Sequence, residues 1–221
     1  NDHFAPLLVG QDCMATEKAW DLMRRASAQY HTAGLASYAI SAIDNALWDL
    51  KGKLLGTPVY NLLGGACREK IRVCANGWSS GTIATSVERA VQLVEQGFTA
   101  MKFDPFPGPW RTHISRDDER IAVEYVSAVR QAVGPDVDLL IEVHRRLAPD
   151  PAVRVAGMME DCQVFWYEEP VSARNLDALA EVRQAINLPA IQMHIINFHT
   201  AGEVHGKHHL PPFVRNTHRF T

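Results

Sequence analysis

Residues 137–146 read Val-Asp-Leu-Leu-Ile-Glu-Val-His-Arg-Arg, and residues 163–170 read Gln-Val-Phe-Trp-Tyr-Glu-Glu-Pro. Each stretch is a short, mostly apolar run that ends in charged side chains, and each is followed by a segment with helical spacing. Short apolar runs of this kind are typical of strands that are buried on both faces of a parallel sheet. The two stretches therefore predict neighbouring strands of an α/β fold, with acidic groups where each strand ends.

The same alternation of strand and helix extends in both directions along the chain. We predict strands at 71–75, 98–103, 137–143, 163–167 and 188–192, with helices at 82–96, 115–133 and 151–161 and a fourth helix capped by Asn175. This alternation indicates parallel β/α units. Four to five units in about 120 residues match half of an eight-stranded barrel, whose full length is about 250 residues. A doubly wound sheet is the competing architecture, which spacing alone does not exclude.

Two further parts flank the predicted half barrel of residues 71–190. Residues 1–70 read as helical, and Gly56 followed by Pro58 ends the helix that begins near Ser37 in the order expected at a helix C-terminus. Residues 191–221 hold six of the ten histidines and show no strand–helix rhythm. A His-rich tract can bind metal, but we expect an aberrant or disordered tail.

Composition limits the partners that the chain is expected to have. A formal net charge of -3 over 221 residues gives no electrostatic reason to expect nucleic acid or a membrane surface as a partner. No apolar run approaches the roughly 20 residues that span a bilayer. The cysteines show no CxxC spacing, which fits a reducing, cytoplasmic setting. The chain lacks an initiator Met and a signal-peptide pattern, so we expect it to begin inside a longer gene product.

Polar side chains at the carboxyl ends of the predicted strands are the candidates for a functional site, because functional groups of parallel barrels collect there. Glu142 and Glu168 come from adjacent strands and offer the oxygen ligands that suit a hard cation such as Mg²⁺. His144 lies two residues after Glu142 and shares its strand face, so it could act as a general acid or base beside the metal. The remaining candidates along this edge are Asn76, Lys102, Asp104, Arg145, Arg146 and Glu169.

Structural interpretations of the same residues remain open at this point. Either glutamate could be a salt-bridge partner of Arg145 or Arg146. Lys102 alone is more often a lysine whose stem covers apolar surface. Asp104 followed by proline is also a typical start of a turn.

Several motifs taken together resemble a known family. Residues 41–65 resemble the end of the capping-domain region in mandelate racemase and muconate lactonizing enzymes, which belong to the enolase superfamily. Trp-Tyr-Glu-Glu-Pro-Val at 166–171 resembles the family strand whose first Glu, here Glu168, ligates magnesium. Residues 141–146 resemble the preceding metal strand of acid-sugar dehydratases. Residues 102–105 look like the second-strand motif of the galactonate dehydratase-like branch.

The resemblance covers about residues 1–190 and implies a helical end of a capping domain at 1–70, followed by a partial TIM-type barrel. It implies Mg²⁺-dependent removal of the proton α to a carboxylate of a small-molecule sugar acid. In dehydratases of this group a histidine such as His144 then assists loss of the β-hydroxyl. By this resemblance Glu142 and Glu168 would be metal ligands, and Lys102 would be a second catalytic residue. The substrate would be bound by Asn76, Asp104 and Arg146.

The chain departs from the family pattern at three positions. Glu142 stands where Asp is usual, and Asp104 stands where the racemases carry a second lysine. His194 falls at the position of the third acidic ligand and is the candidate metal ligand there, although imidazole is a poorer magnesium ligand than carboxylate. We therefore expect an acid-sugar dehydratase whose present chain is weak or inactive. There are two alternatives. The first is a racemase, epimerase or cycloisomerase with Lys102 as its base, and the second is a non-catalytic truncated scaffold. Open sheet edges also predict a homo-oligomer.

Overall fold

The computed structural model describes residues 2–30, 34–108 and 114–191. They fall into two compact units, the first ending at Ile71 and the second beginning at Arg72. The first unit contains the helices α1 (Ala5–Leu8), α2 (Thr16–Ala26), α3 (Leu35–Leu54) and α4 (Val59–Leu62). The second contains α5 (Ile83–Glu95), β1 (Ala100–Phe103), α6 (Arg116–Val133), β2 (Asp138–Glu142), α7 (Pro149–Met158), β3 (Trp166–Glu168), α8 (Leu176–Ala185) and β4 (Ala190–Ile191). None of the helices in these ranges is long and apolar enough to cross a membrane.

In the first unit, α2 and α3 pack together through a small apolar cluster. Met23 of α2 and Ile40 of α3 are buried in it together with Phe4. The long helix α3 ends before Gly56, which takes a left-handed conformation with φ 63°. Glycine is favoured there because it has no Cβ to clash with the backbone. The predicted end of this helix is therefore confirmed in position and in cause.

The strands of the second unit form one parallel sheet in the order β1-β2-β3-β4. Helices α6, α7 and α8 connect successive strands, and consecutive helices from α5 to α8 pack against one another. Sequential strand order with crossovers of one hand places the helices on a single face, as in a barrel. A doubly wound sheet would reverse its strand order at a switch point. The observed order therefore favours a barrel segment over the doubly wound alternative.

Side chains alternate between the two faces of this sheet. Those that face the helices are apolar and form the main core, and they include Met101, Phe103, Leu139, Ile141 and Tyr167. The residues between them point to the opposite face, because successive strand residues alternate. That inner face carries Lys102, Leu140, Glu142, Trp166 and Glu168. One set of strands therefore supplies the core on one side and the charged candidates on the other.

The predicted strand at 71–75 is wrong, because only a single bridge forms there. The backbone N–H of Ala75 donates to Ala100 at 2.9 Å, and that of Lys102 donates to Ala75 at 2.7 Å. Ile71 and Val73 remain exposed, so burial of their side chains does not stabilise a longer pairing. The other predicted strands are present but shorter than expected, with β3 beginning three residues late, after the left-handed Gln163.

The predicted His-rich tail lies almost wholly outside the described residues. Only Ile191, the last residue of β4, belongs to the structure. The assignment of residues 191–221 as an aberrant tail therefore stays a prediction, as does the metal role of His194.

Arg130 of α6 joins the amino-terminal ends of two strands. Its guanidinium donates to the carbonyl oxygens of Gly134 and Val137 at 2.7 Å each, before β2, and of Cys162 at 2.9 Å and Gln163 at 3.2 Å, before β3. The chain turns sharply at these carbonyls, so the sheet hydrogen bonds do not reach them. A single side chain therefore satisfies four backbone acceptors.

Replacing Arg130 by Met should lower the free energy of unfolding by about 2–4 kcal/mol, since several charge-assisted hydrogen bonds are lost together. Urea denaturation followed by circular dichroism measures the change. Arg120→Met is the matched control, because Arg120 lies on the same helix, is exposed and pairs only locally with Asp117; it should change stability by less than about 0.5 kcal/mol. Equal effects of the two variants would contradict the proposed role of Arg130.

Candidate active site

Glu142 and Glu168 lie opposite each other at the carboxyl ends of β2 and β3, as directly paired residues in the sheet register. Both are buried, with exposed fractions of 6% and 3%. The ammonium group of Lys102 lies between them, 2.6 Å from a carboxylate oxygen of Glu142 and 2.5 Å from one of Glu168. Two buried carboxylates therefore share one cation at the rim of the sheet.

The remaining carboxylate oxygens are held by neighbouring N–H groups. The backbone N–H of His144 donates to Oε1 of Glu142 at 2.8 Å, and the indole N–H of Trp166 donates to Oε2 of Glu168 at 3.0 Å. Sequence reasoning missed Trp166, although its position two residues before Glu168 on one strand places both on the same face. These bonds fix each carboxylate so that its other oxygen faces Lys102.

Charge pairing outweighs burial at this site. Burial raises the pKa of Glu142, but the hydrogen bonds from Lys102 and from the His144 backbone hold it below its usual value. Burial lowers the pKa of Lys102, yet the hydrogen bonds and charges of Glu142 and Glu168 raise it overall. At neutral pH Lys102 is therefore a cation in this arrangement.

A second set of charged side chains, Asp104 and Arg146, lies at His144, next to Glu142 and Glu168. Nδ1 of His144 lies 2.9 Å from Oδ2 of Asp104, which directly follows β1. The guanidinium of Arg146 contacts both carboxylate oxygens of Asp104. The structure thus brings His144, Asp104 and Arg146 together at the carboxyl edge of the sheet.

The loops after β2 and β3 carry unusual backbone conformations. His144, Arg145 and Glu169 all have left-handed φ values, of 56°, 65° and 50°. Residues with a Cβ rarely adopt them, and such conformations cluster at functional sites. The backbone N–H of Arg145 donates to the carbonyl of Glu169 at 2.7 Å, which joins the two loops.

The arginine alternative for the two glutamates does not hold in the structure. Arg145 pairs with Glu169 at 2.9 Å, and Arg146 pairs with Asp104. Glu169 is buried, and burial raises its pKa although Arg145 opposes this. Lys102, rather than either arginine, is the cation that joins Glu142 to Glu168.

Asn76 is placed differently from the other candidates. It is exposed, and its side-chain oxygen accepts the backbone N–H of Gly77 at 2.8 Å. Among the described residues, no hydrogen bond joins Asn76 to the charged groups. Its role in substrate binding stays a prediction.

The two carboxylates at this rim fit a hard divalent cation. Two buried carboxylates already converge on a single positive charge, and oxygen ligands are those that Mg²⁺ prefers. No cluster of three His, Cys, Asp or Glu side chains suited to a metal occurs in ranges 2–30, 34–108 and 114–191. Glu142 and Glu168 would therefore supply two ligands of such a site.

Comparison with protein families identifies the lineage. The model of the enolase C-terminal domain-like family matches residues 85–207, and that of the mandelate racemase/muconate lactonizing enzyme N-terminal domain matches residues 1–64. The chain belongs to the mandelate racemase/muconate lactonizing enzyme family of the enolase superfamily. The first of these matches runs past β4 to residue 207, and so includes His194.

Curated members of this enolase-superfamily group share substantial identity with the chain. It is 44% identical over 147 residues to D-gluconate dehydratase of Thermoproteus tenax, which covers 66% of the chain and 29% of that protein. It is 40% identical over 156 residues to D-gluconate/D-galactonate dehydratase of Picrophilus torridus, which covers 70% of the chain and 40% of that protein. It is 33% identical over 219 residues to D-mannonate dehydratase of a Sphingomonas species, which covers 89% of the chain and 54% of that protein. These relatives place the chain in the galactonate dehydratase-like branch. The chain spans about half of their length or less.

Solved structures of superfamily members confirm the fold. The 3,6-anhydro-D-galactonate cycloisomerase of Zobellia galactanivorans superposes with a TM-score of 0.78 at 35% identity, over 86% of this chain and 51% of that one. A mandelate racemase/muconate lactonizing enzyme-like protein of Rubrobacter xylanophilus gives 0.75 at 37% identity, over 82% and 52%. The predicted partial barrel of this enolase-superfamily chain is therefore confirmed.

Removing the charge of Lys102 should expose how strongly the two carboxylates need a cation. Lys102→Met, measured in EDTA, should lower the free energy of unfolding by about 3–5 kcal/mol, because two buried anions are left without a partner. Adding Glu168→Gln to this variant should recover part of the loss, since one of the two negative charges is removed.

The exposed pair of Lys53 with Asp49 provides the control, as Lys53→Met should change stability by less than about 0.5 kcal/mol. A double variant that is no more stable than Lys102→Met alone would contradict mutual repulsion between Glu142 and Glu168.

Proposed function

We propose that the protein to which this chain belongs catalyses the Mg²⁺-dependent dehydration of a sugar acid. The single observation that carries this is the convergence of two buried carboxylates, from neighbouring strands, on one positive charge. Relatives named as gluconate, galactonate and mannonate dehydratases support the reaction class. The substrate would be a small polyhydroxylated carboxylate.

Each group of the site has a proposed role. Glu142 and Glu168 would hold Mg²⁺, which when bound supplies positive charge to a substrate carboxylate whose α-proton is being removed. Lys102 lies against the same carboxylates and adds a second positive charge there, which favours an anionic substrate. His144 would act as the general acid that protonates the departing β-hydroxyl.

The proposed reaction balances without an external redox partner. The α C–H bond breaks and its proton leaves to a base, the electron pair forms a double bond to the β-carbon, and the β C–O bond breaks. The hydroxyl takes a proton from His144 and leaves as water. The resulting enol becomes an α-keto acid by tautomerisation.

The test is a dehydration assay on a panel of sugar acids, with Mg²⁺ present and after its removal by EDTA. We expect α-keto acid to form only with Mg²⁺, and Glu168→Gln to lower turnover by at least about 100-fold, since loss of a ligand weakens both metal binding and charge stabilisation. Manganese binding, measured by electron paramagnetic resonance, should weaken in the same variant.

Glu124→Gln is the matched control, because Glu124 is exposed on α6 away from the rim of the sheet and should leave both measurements unchanged. Turnover that persists in Glu168→Gln would sink the proposed mechanism. Absence of turnover in the unaltered whole protein would favour the non-catalytic scaffold.

A second candidate function is isomerisation on the same scaffold, by a racemase, an epimerase or a cycloisomerase. The likeness to a cycloisomerase structure favours it, whereas Asp104, which stands where the racemases carry a second lysine, argues against a lysine base on that strand. Incorporation of deuterium from solvent at the α-carbon without loss of water would decide for isomerisation.

The proposed setting is a reducing cytoplasm, and the proposed assembly is a homo-oligomer. Cys13, Cys67, Cys74 and Cys162 all lack a disulfide bond, which supports the first. Two of them, Cys67 and Cys74, are exposed. Exposed thiols persist more readily under reducing conditions.

A further inference from the structure

We propose that Asp104 and Arg146 are positioning residues for His144, and that they act through its imidazole rather than by binding substrate. The inference rests on the proposed function, in which His144 transfers a proton. It assigns new roles to two residues that the sequence had suggested as substrate ligands.

Asp104 has both of its carboxylate oxygens engaged by protein donors. Oδ2 contacts Nδ1 of His144 at 2.9 Å, and Oδ1 accepts the backbone N–H of Phe106 at 3.0 Å. The guanidinium of Arg146 contacts both oxygens as well. A substrate hydroxyl would have to compete with these donors. The carboxylate is therefore better suited to holding its neighbours than to binding a ligand.

Arg146 fixes Asp104 from the other side. Its side chain is only 10% exposed, and its Nε donates to the carbonyl of Val143 at 2.8 Å. The guanidinium carbon lies 5.3 Å from the ring centroid of Phe106, a distance typical of cation–π contacts. These contacts tie Arg146 to the end of β2 and to the loop after β1. Asp104 is thus held at a defined point between the two strands.

The His144 ring needs such support because of its backbone. The residue adopts a left-handed φ of 56°, and 38% of its side chain is exposed. A side chain that is 38% exposed is not enclosed by the core on all sides. The contact with Asp104 restricts the orientation of the ring.

The contact also selects the tautomer. An ionised carboxylate can only accept a hydrogen bond, so the proton lies on Nδ1 of the neutral ring. Nε2 then faces the reacting group: it accepts a proton in the neutral ring, and it donates that proton to the departing hydroxyl when the ring is an imidazolium. Carboxylate partners orient catalytic histidines in this way in other enzymes, and an amide in their place yields the wrong tautomer.

The experiment is nitrogen NMR of histidine-labelled protein at pH 9, which reports the tautomer of neutral imidazole. The His144 signals are assigned by their loss in His144→Gln. We expect the Nδ1–H form to dominate in the unaltered chain, and Asp104→Asn to shift the population towards Nε2–H, because an amide N–H donates to Nδ1. Asp138→Asn, at the opposite end of the sheet, is the control and should leave the His144 signals in place.

A second variant covers the case in which Asp104→Asn does not fold. Arg146→Gln frees the Asp104 carboxylate to move, so the Nδ1–H form should lose its dominance there too. In an active protein, either variant should lower kcat by at least about 10-fold while KM changes less than about twofold. An unchanged His144 tautomer in the folded variants would overturn the proposal, as would a rise in KM with unchanged kcat.

The tautomer measurement does not depend on turnover. Absence of sugar-acid dehydration by the whole protein, together with the tautomer shift, would therefore overturn the proposed function alone. A chain that turns over sugar acid without the shift would overturn the positioning role alone.

Discussion

Two buried carboxylates that face each other at the end of a sheet both stay ionised only when nearby positive charge offsets their repulsion. Parallel register makes Glu142 and Glu168 direct neighbours, and at a separation of about 4 Å two like charges repel by about 4 kcal/mol at the effective dielectric of a protein surface. Burial adds to this cost by removing water. The ammonium of Lys102, delivered by β1, offsets both terms. The charged rim therefore depends on three consecutive strands keeping their order and register.

The other face of the same strands must instead be apolar, because it packs against the helices. Leu139, Ile141 and Tyr167 are fully buried against the helices, and each lies next in sequence to a residue of the inner face. A slip of one residue would turn the charges into the core and the apolar groups outward. The apolar face therefore fixes the register that brings the two glutamates together. The stability of the core and the geometry of the site therefore both follow from the alternation of apolar and charged side chains along these strands.

The sequence predicted the parts of this arrangement that depend on short-range pattern. Helix ends followed from Ser115 and Asn175, whose side chains cap α6 and α8, and the two glutamates followed from their places at strand ends. The sequence could not show that residues 71–75 fail to form a strand. Their composition is strand-like, but the side chains of Ile71 and Val73 are not buried in the structure. The sequence also could not predict that Lys102 is the cation shared by Glu142 and Glu168. Its role depends on where a flexible side chain of four carbons ends, which spacing does not reveal.

Backbone strain explains how the rim keeps its shape beyond the last strand residues. After β2 and β3 the pairing does not stop but continues in distorted form, since the N–H groups of Val143, Arg145 and Leu147 donate to the carbonyls of Glu168, Glu169 and Pro170. This ladder imposes left-handed conformations on side-chain-bearing residues, which cost about 1–2 kcal/mol each. The hydrogen bonds between the loops and the ion pair of Arg145 with Glu169 oppose that cost. A loop held in this way gives His144 a fixed backbone from which Asp104 can orient its ring, whereas a relaxed loop would leave both free to move.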